Sequence, residues 1–375
     1  MELCPKKCIH MEIDAEGARF PVIREEQCIS CQRCRKVCPS LNPPVFHRPA
    51  EAYAMWSEDP EVFSASASGG IGTELYRYAL ERHWYVAGVE MDQTFRAVFT
   101  VRKDRQALKA YRNSKYTFSH LDGAVGKIRE LLNAGETVLF IGTGCQCAGI
   151  RNSTGDIRTG ELYLVDLVCH GMPPERYLRE HIEAVDRKMG KTAVRCSFRD
   201  PDFGTEQFVF SLFDRKGEKI YSRPVLSEDV YQVGYHKALI YRENCYACLY
   251  AGEDRCGDLT ISDYKGIGTK APCDFSHGKM SSVLVNTEKG KRLVEGLTEQ
   301  RRVEAYSRPV EEPIEGDPQL QHPSFPHKKR ALFLREYKKG KGFEQAAKKA
   351  LRWERFLSIS HARKIKAWLK RLLGI

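Results

Sequence analysis

Four cysteines stand close together in Cys28-Ile-Ser-Cys31-Gln-Arg-Cys34-Arg-Lys-Val-Cys38-Pro39. Three thiolates at i, i+3 and i+6 come from one tight loop and can bind three corners of an iron–sulfur cubane. The spacing C-x2-C-x2-C-x3-C-P is that of bacterial two-cluster [4Fe–4S] loops, in which the cysteine before the proline ligates the other cluster. A cluster held by Cys28, Cys31 and Cys34 therefore needs a fourth ligand from elsewhere. Cys4, which also precedes a proline (Cys4-Pro5), is the expected one. Cys38 is then the leftover ligand of a cluster whose other cysteines are missing. Zinc is the competing reading, since C-x2-C pairs serve both metals; three cysteines at two-residue gaps and the C-P ending favour iron–sulfur.

Four further stations carry chemistry. Ser64-Ala-Ser66-Ala-Ser68-Gly69-Gly70 opens a helix, where small residues let a ligand approach and free N–H groups attract anions; alone, such a stretch is more often a plain cap. Gly142-Thr143-Gly144-Cys145-Gln146-Cys147 and Cys169-His170-Gly171 each follow an apolar run, so Cys145 and Cys169 fall at the carboxyl ends of expected parallel strands. That edge is where open α/β sheets bind ligands. Cys147 and Cys196 read as inert small hydrophobes. Cys245-Tyr-Ala-Cys248 is a second C-x2-C pair, followed by Cys256 and Cys273. Locally these four could hold zinc; globally Cys245 and Cys248 could join Cys145 and Cys169 around a second [4Fe–4S] cluster.

The elements that must position these groups read as an α/β chain with an N-terminal α+β ferredoxin-like iron–sulfur module and a C-terminal basic helix. The module covers 1–42, and its first half is degenerate. A strand and turn are expected over Met11–Gly17, and the prolines from Pro43 to Pro49 suit a boundary. An α/β domain follows over 50–306. Thr137–Ile141 and Leu162–Val168 have the length and apolarity of buried parallel strands, and Phe208–Phe213 with Lys216-Gly217 reads as a hairpin. Helices are expected over Gly70–Arg82 and Leu121–Asn133. The last part, 307–375, reads as a proline-rich linker (five prolines between Ser307 and Pro326) and a basic helical tail. Fourteen cysteines, no apolar leader and no long apolar run favour metal ligands in a reducing cytoplasm over disulfides or a membrane span.

The five stations occur in one order, ending in Gly257-Asp258-Leu-Thr-Ile-Ser-Asp263 after the second C-x2-C pair. In that order, over roughly 1–290, the chain resembles the coenzyme F420 hydrogenase/dehydrogenase beta subunit family, and among its members the bacterial polysaccharide-cluster type. The resemblance implies an iron–sulfur flavoprotein in which electrons pass between [4Fe–4S] clusters and FAD, with hydride exchange to a deazaflavin (coenzyme F420-like) or another acceptor. It implies flavin contacts at Ser68, Gly69, Gly70, Ser114, Lys115, Gly142, Thr143 and Gln146, and an inner cluster on Cys145, Cys169, Cys245 and Cys248. His170 is the candidate for proton chemistry. The departures are a first ferredoxin motif missing upstream of Cys4, Gly144 where proline is usual, and Ser262 and Tyr264-Lys265 where a glycine and aromatics are usual. Cys147, Cys256 and Cys273 fall outside the family pattern.

Net charge is +11, yet His327–Ile375 carries sixteen Lys and Arg against three Glu, so the body is nearly neutral. No nucleic-acid partner is expected. In the tail, Ile365, Trp368, Leu369, Leu372 and Leu373 share one helical face ringed by basic residues; it reads either as docked on its own domain or a partner, or as a peripheral contact with the inner membrane face. A redox partner protein is expected. Two rival readings remain, an electron-transfer subunit of a larger complex without its own substrate and a zinc-stabilised binding module.

Overall fold

The computed structural model describes residues 2–157, 159–224, 229–275 and 278–354. Its strands are β1 (Ile9–Ile13), β2 (Arg19–Ile23), β3 (Glu51–Ser57), β4 (Tyr85–Met91), β5 (Ala97–Arg102), β6 (Ser119–His120), β7 (Thr137–Thr143), β8 (Glu161–Leu167), β9 (Arg195–Ser197), β10 (Val209–Phe213), β11 (Lys219–Pro224), β12 (Leu259–Asp263), β13 (Ser281–Val285) and β14 (Val303–Arg308). Among the described residues nine of them form one mixed sheet, ordered β14-β3-β13-β12-β8-β7-β4-β5-β6.

The centre of the sheet is parallel. β7 pairs β8 residue by residue, from Thr137 with Glu161 to Thr143 with Leu167, and β4 and β12 continue the parallel run on either side. These strands are mostly apolar because both faces are covered, and the Asp166 that β8 buries is paired with Arg255. Leu139, Ile141 and Val165 pack against Leu75, Ala79, Leu293 and Leu297 of the helices Ile71–Glu81 and Glu288–Glu299. Val138, Phe140 and Leu164 face the other way, onto Ile128, Leu132, Cys147 and Ile150 of Ala124–Asn133 and Gly144–Thr154. β13, β3 and β14 extend one edge in antiparallel fashion.

A second lobe is built on β9, β10 and β11, an antiparallel sheet whose hairpin turns at Gly217 (φ +82°). Its core joins Tyr177, Phe210 and Tyr231 to Phe333 and Phe343, from the helices Arg330–Glu336 and Gly342–Ala350. The stretch 307–326 is therefore not the extended linker expected from its prolines. It carries the end of β14, the helix Glu311–Gly316 and a 3-10 turn at Pro318–Leu320, and it buries Ile314 and Leu320. Pro318 sits in the first turn after Asp317, where its missing N–H costs nothing, so proline here marks a start rather than a flexible tether. The face formed by Ile365, Trp368, Leu369, Leu372 and Leu373 lies outside the described residues.

Residues 2–42 form the β1/β2 hairpin, its turn at Gly17, and the short helix Arg33–Val37. Tyr250 donates its hydroxyl to Pro39 O at 2.7 Å and Asn152 Nδ2 donates to Asn42 O at 2.6 Å, joining this unit to the main sheet.

Candidate functional site

A cavity of about 480 Å³ opens at the carboxyl ends of β7, β8 and β12. Its size suits a small organic ligand or a cofactor. Three chain segments converge on it for local reasons. The helix Ile71–Glu81 starts at Gly70, whose φ of +89° is open to glycine, and no side chain caps it. Gly70, Ile71, Gly72 and Thr73 all line the cavity, so the uncapped first turn is beside it. The second segment is Arg112–Tyr116, and the third comprises the two strand-end loops with Gly142, Thr143, Gln146, Cys169 and His170.

Of the eight residues expected to contact a flavin, seven line this cavity: Ser68, Gly70, Ser114, Lys115, Gly142, Thr143 and Gln146. Gly69 is set back from it. A Cβ there would lie 2.3 Å from Met55 O, and its N–H donates to Ser281 Oγ, so Gly69 is needed for close packing on β3 and β13. Many of the polar side chains are already engaged. Ser68 Oγ donates to Met280 O at 2.8 Å, and Lys115 Nζ donates to Ala110 O and Arg112 O at 3.1 and 2.9 Å. Thr143 and Gln146 cap the helix Gly144–Thr154, with Thr143 N donating to Gln146 Oε1 and Gln146 Nε2 to Ser119 Oγ. Burial pushes the Lys115 ammonium down to about 7.

Apart from Ser66 of the helix entry, the unengaged polar atoms belong to residues that sequence motifs did not single out. Arg112 Nε, Asn113 Oδ1, Ser66 Oγ and His236 Nε2 are buried without a hydrogen-bond partner, and all four residues line the cavity. Such orphans are costly unless a ligand pairs them, so the wall offers unpaired donors and acceptors that suit a polar ligand. Arg199, from the loop after β9, is also buried in the wall. It donates to Tyr116 Oη at 2.8 Å, Ala67 O at 2.7 Å and Asp263 Oδ2 at 2.8 Å. No sequence signal marks Arg199, because its partners are more than sixty residues away. Burial, then Lys265, lowers the pKa of His170; burial, then His170, lowers that of His236 to about 4. Ser262 and Lys265 line the same wall, and Lys265 pairs with Asp317 at 3.0 Å.

Cys169 lies in the cavity wall. Burial, then Cys245, Cys145 and Cys248, raises its thiol well above the ordinary value, so these four sulfurs sit within electrostatic reach of one another. Main-chain N–H groups point at two of them, Met172 N to Cys245 Sγ and Tyr250 N to Cys248 Sγ, both at 3.4 Å. Such N–H donors accompany iron–sulfur thiolates and tune their potential. Among the described residues no three His, Cys, Asp or Glu side chains close around a single ion. A cubane asks for something different, since each of its four thiolates binds a different iron. The local quartet is split: Cys256 Sγ donates to Gly144 O and Cys273 Sγ to Phe275 O, both at 3.1 Å. Gly144 earns its place by contact, because a Cβ there would lie 2.9 Å from Tyr250 Cβ.

In the outer unit Cys28 and Cys31 are exposed, Cys4, Cys34 and Cys38 half-buried. Burial, then Cys256, Cys145, Cys248 and Cys38, raises the Tyr250 hydroxyl pKa. Tyr250 thus stands between the Cys38-Pro39 end of the outer unit and the inner cysteines. Cys8, which no motif singled out, is buried with its Sγ 3.4 Å from Cys4 Sγ.

Residues 52–125 match the family described as coenzyme F420 hydrogenase/dehydrogenase, beta subunit N-term, and residues 135–310 match the C terminus of the same beta subunit. No curated protein matches the chain. Among solved structures, a chain of the xenon-derivatized F420-reducing [NiFe] hydrogenase complex from Methanosarcina barkeri is similar at 19% identity and a TM-score of 0.48, over 82% of this chain and 92% of that one.

Proposed function

The chain belongs to the coenzyme F420 hydrogenase/dehydrogenase beta subunit family, and from that premise we propose that it is an iron–sulfur flavoprotein oxidoreductase. Electrons would pass between [4Fe–4S] clusters and FAD, and on to a deazaflavin of the coenzyme F420 kind or another acceptor. The observation that carries this reading is the cavity itself, with an uncapped helix start on one side and Cys169 on the other.

Bound FAD supplies hydride transfer together with single-electron exchange. Gly70, Ile71 and Gly72 would hold an anionic group at the helix N-terminus. Arg112 Nε and Asn113 Oδ1 would meet the cofactor's polar edge, pairing atoms that lack partners in the protein. Arg199, fixed by Asp263, Ala67 O and Tyr116, would keep a positive charge at the wall without swinging. His170, its pKa lowered by burial, would enter the reaction neutral and able to take up a proton. Cys145, Cys169, Cys245 and Cys248 would hold the inner cluster; Cys28, Cys31 and Cys34 would hold the outer one with a fourth thiolate. The proposed division is 1–42 for the outer module, 50–306 for the flavin domain and 307–375 for the C-terminal part.

A redox partner would meet the outer module, where Cys28 and Cys31 are exposed and Ile13, Phe20, Ile23 and Ile29 of the same unit are exposed as well. The same exposure supports the second reading, an electron-transfer subunit of a larger complex. Anaerobic purification tests the proposal. A brown protein with about 8 iron per chain and bound FAD is expected for two cubanes and a flavin. Zinc in place of iron, with no flavin, would overturn it.

A further inference from the structure

We propose that Cys8 is an alternative ligand of the outer iron–sulfur site, able to take the corner expected of Cys4; this rests on the reading that the outer module holds a cluster. The Sγ atoms of Cys4 and Cys8 are 3.4 Å apart, in direct contact. The ligands of a cubane bind four different irons and stand well apart, so two touching sulfurs can offer only one corner between them. On that reading five thiols, Cys4, Cys8, Cys28, Cys31 and Cys34, would compete for four corners.

The backbone holds Cys8 more firmly than Cys4. The β1/β2 ladder pairs Ile9 with Ile23, and Arg24 N donates to Cys8 O at 2.9 Å, extending that register by one step. Arg24 immediately precedes the 3-10 turn Glu25–Gln27, which delivers Cys28. Cys8 is therefore tied by main-chain hydrogen bonds to the start of the cysteine loop. Cys4 lies outside the ladder, on a turn closed by Lys7 N to Cys4 O at 3.1 Å, with Lys7 in the left-handed region at φ +51°. Cys8 is 3% exposed, whereas Cys4 is half-buried.

The exchange balances without an oxidant. The Fe–S bond to Cys4 breaks, the Fe–S bond to Cys8 forms, and the proton leaving the Cys8 thiol passes to the Cys4 sulfur 3.4 Å away. Whichever cysteine is not bound remains a thiol beside the cluster. It can donate an S–H···S bond to the bound sulfur, and hydrogen bonds to cluster sulfurs shift the reduction potential.

The test uses the full chain purified anaerobically, with iron counted and the reduced protein examined by EPR. Cys34→Ala serves as the reference for a lost outer cluster, and the iron that remains at the inner site reports that each variant is folded. Cys4→Ala and Cys8→Ala should each retain iron at the wild-type level, with outer-cluster EPR features or midpoint potential shifted from wild type. The double variant should fall to the Cys34→Ala level. A Cys4→Ala protein that already falls to that level would overturn the proposal. So would a Cys8→Ala protein identical to wild type in spectrum and potential. Unchanged iron in Cys34→Ala would overturn the outer-cluster reading, and this proposal with it.

Discussion

His181 illustrates how single residues hold the second lobe to its C-terminal helix. Its Nε2 is 2.8 Å from Asp229 and its Nδ1 2.8 Å from Glu344, with the ring 1% exposed. Burial alone would favour the neutral ring, but the charges and hydrogen bonds of the two carboxylates outweigh it and raise the pKa to about 10. His181→Gln should cost about 3–5 kcal/mol, because it leaves buried carboxylates without their cation. The folded pKa lies above the unfolded one near 6.5, so the stabilisation is complete below pH about 6.5 and is lost as pH rises toward about 10. Urea unfolding of both proteins at pH about 6 and about 9.5 should give a smaller gap at the higher value; an equal gap would refute the imidazolium. None of this was legible in the sequence, since His181 pairs with residues 48 and 163 positions away.

At the scale of elements, the helix start at Ser64–Gly70 separates two jobs that one motif suggested were shared. Gly69→Ala would drive a Cβ to 2.3 Å from the Met55 carbonyl, a clash with backbone that cannot rotate away. A loss of about 1–3 kcal/mol or more is expected, as for overpacking elsewhere. Gly72→Ala has space, with only Ile261 Cδ1 at 3.7 Å, and should fold at least as well as the wild type while weakening FAD retention, because Gly72 lines the cavity. Thermal melts and flavin content of the two variants decide this; equal flavin retention in Gly72→Ala would move the cofactor away from the helix start. The loop after β7 makes a parallel case. Gly144→Ala brings a Cβ against Tyr250 Cβ at 2.9 Å, and Tyr250 is anchored to Pro39 O, so the change should both destabilise the loop and loosen the outer module, seen as faster proteolysis within 2–42. The strand ends were legible because apolar runs and small loop residues are local signals. The reason for glycine at 144 was not, because the tyrosine that demands it is 106 residues away.

For the whole molecule, the described stretch from Arg330 to Leu351 belongs to the core. Phe333, Phe343 and Leu351 are fully buried against Tyr177, Tyr231 and Phe210. A chain ending at Pro326 should lose cooperative unfolding of the second lobe and expose its aromatic core, detectable as dye binding and aggregation; a soluble protein with a sharp melt would contradict this. Proline counting suggested a linker over 307–326, yet Ile314 and Leu320 anchor that stretch under the sheet edge. The described residues contain no helix long and apolar enough to cross a membrane.

The sequence by itself determined whatever is carried within a dozen residues: the cysteine spacing from Cys28 to Cys38, the apolar runs that became β7 and β8, and the small-residue helix entry. These are local because loop ligands and buried strands are contiguous in the chain. Only the tertiary structure decided which distant groups meet, since the sheet order sets β12 beside β8 and brings the 245–248 loop to Cys145 and Cys169. It also set Cys8 against Cys4 beside the Cys28 loop, and Arg199 against the SASGG turn. Contacts of that kind depend on strand order and lobe packing, which periodicity does not encode.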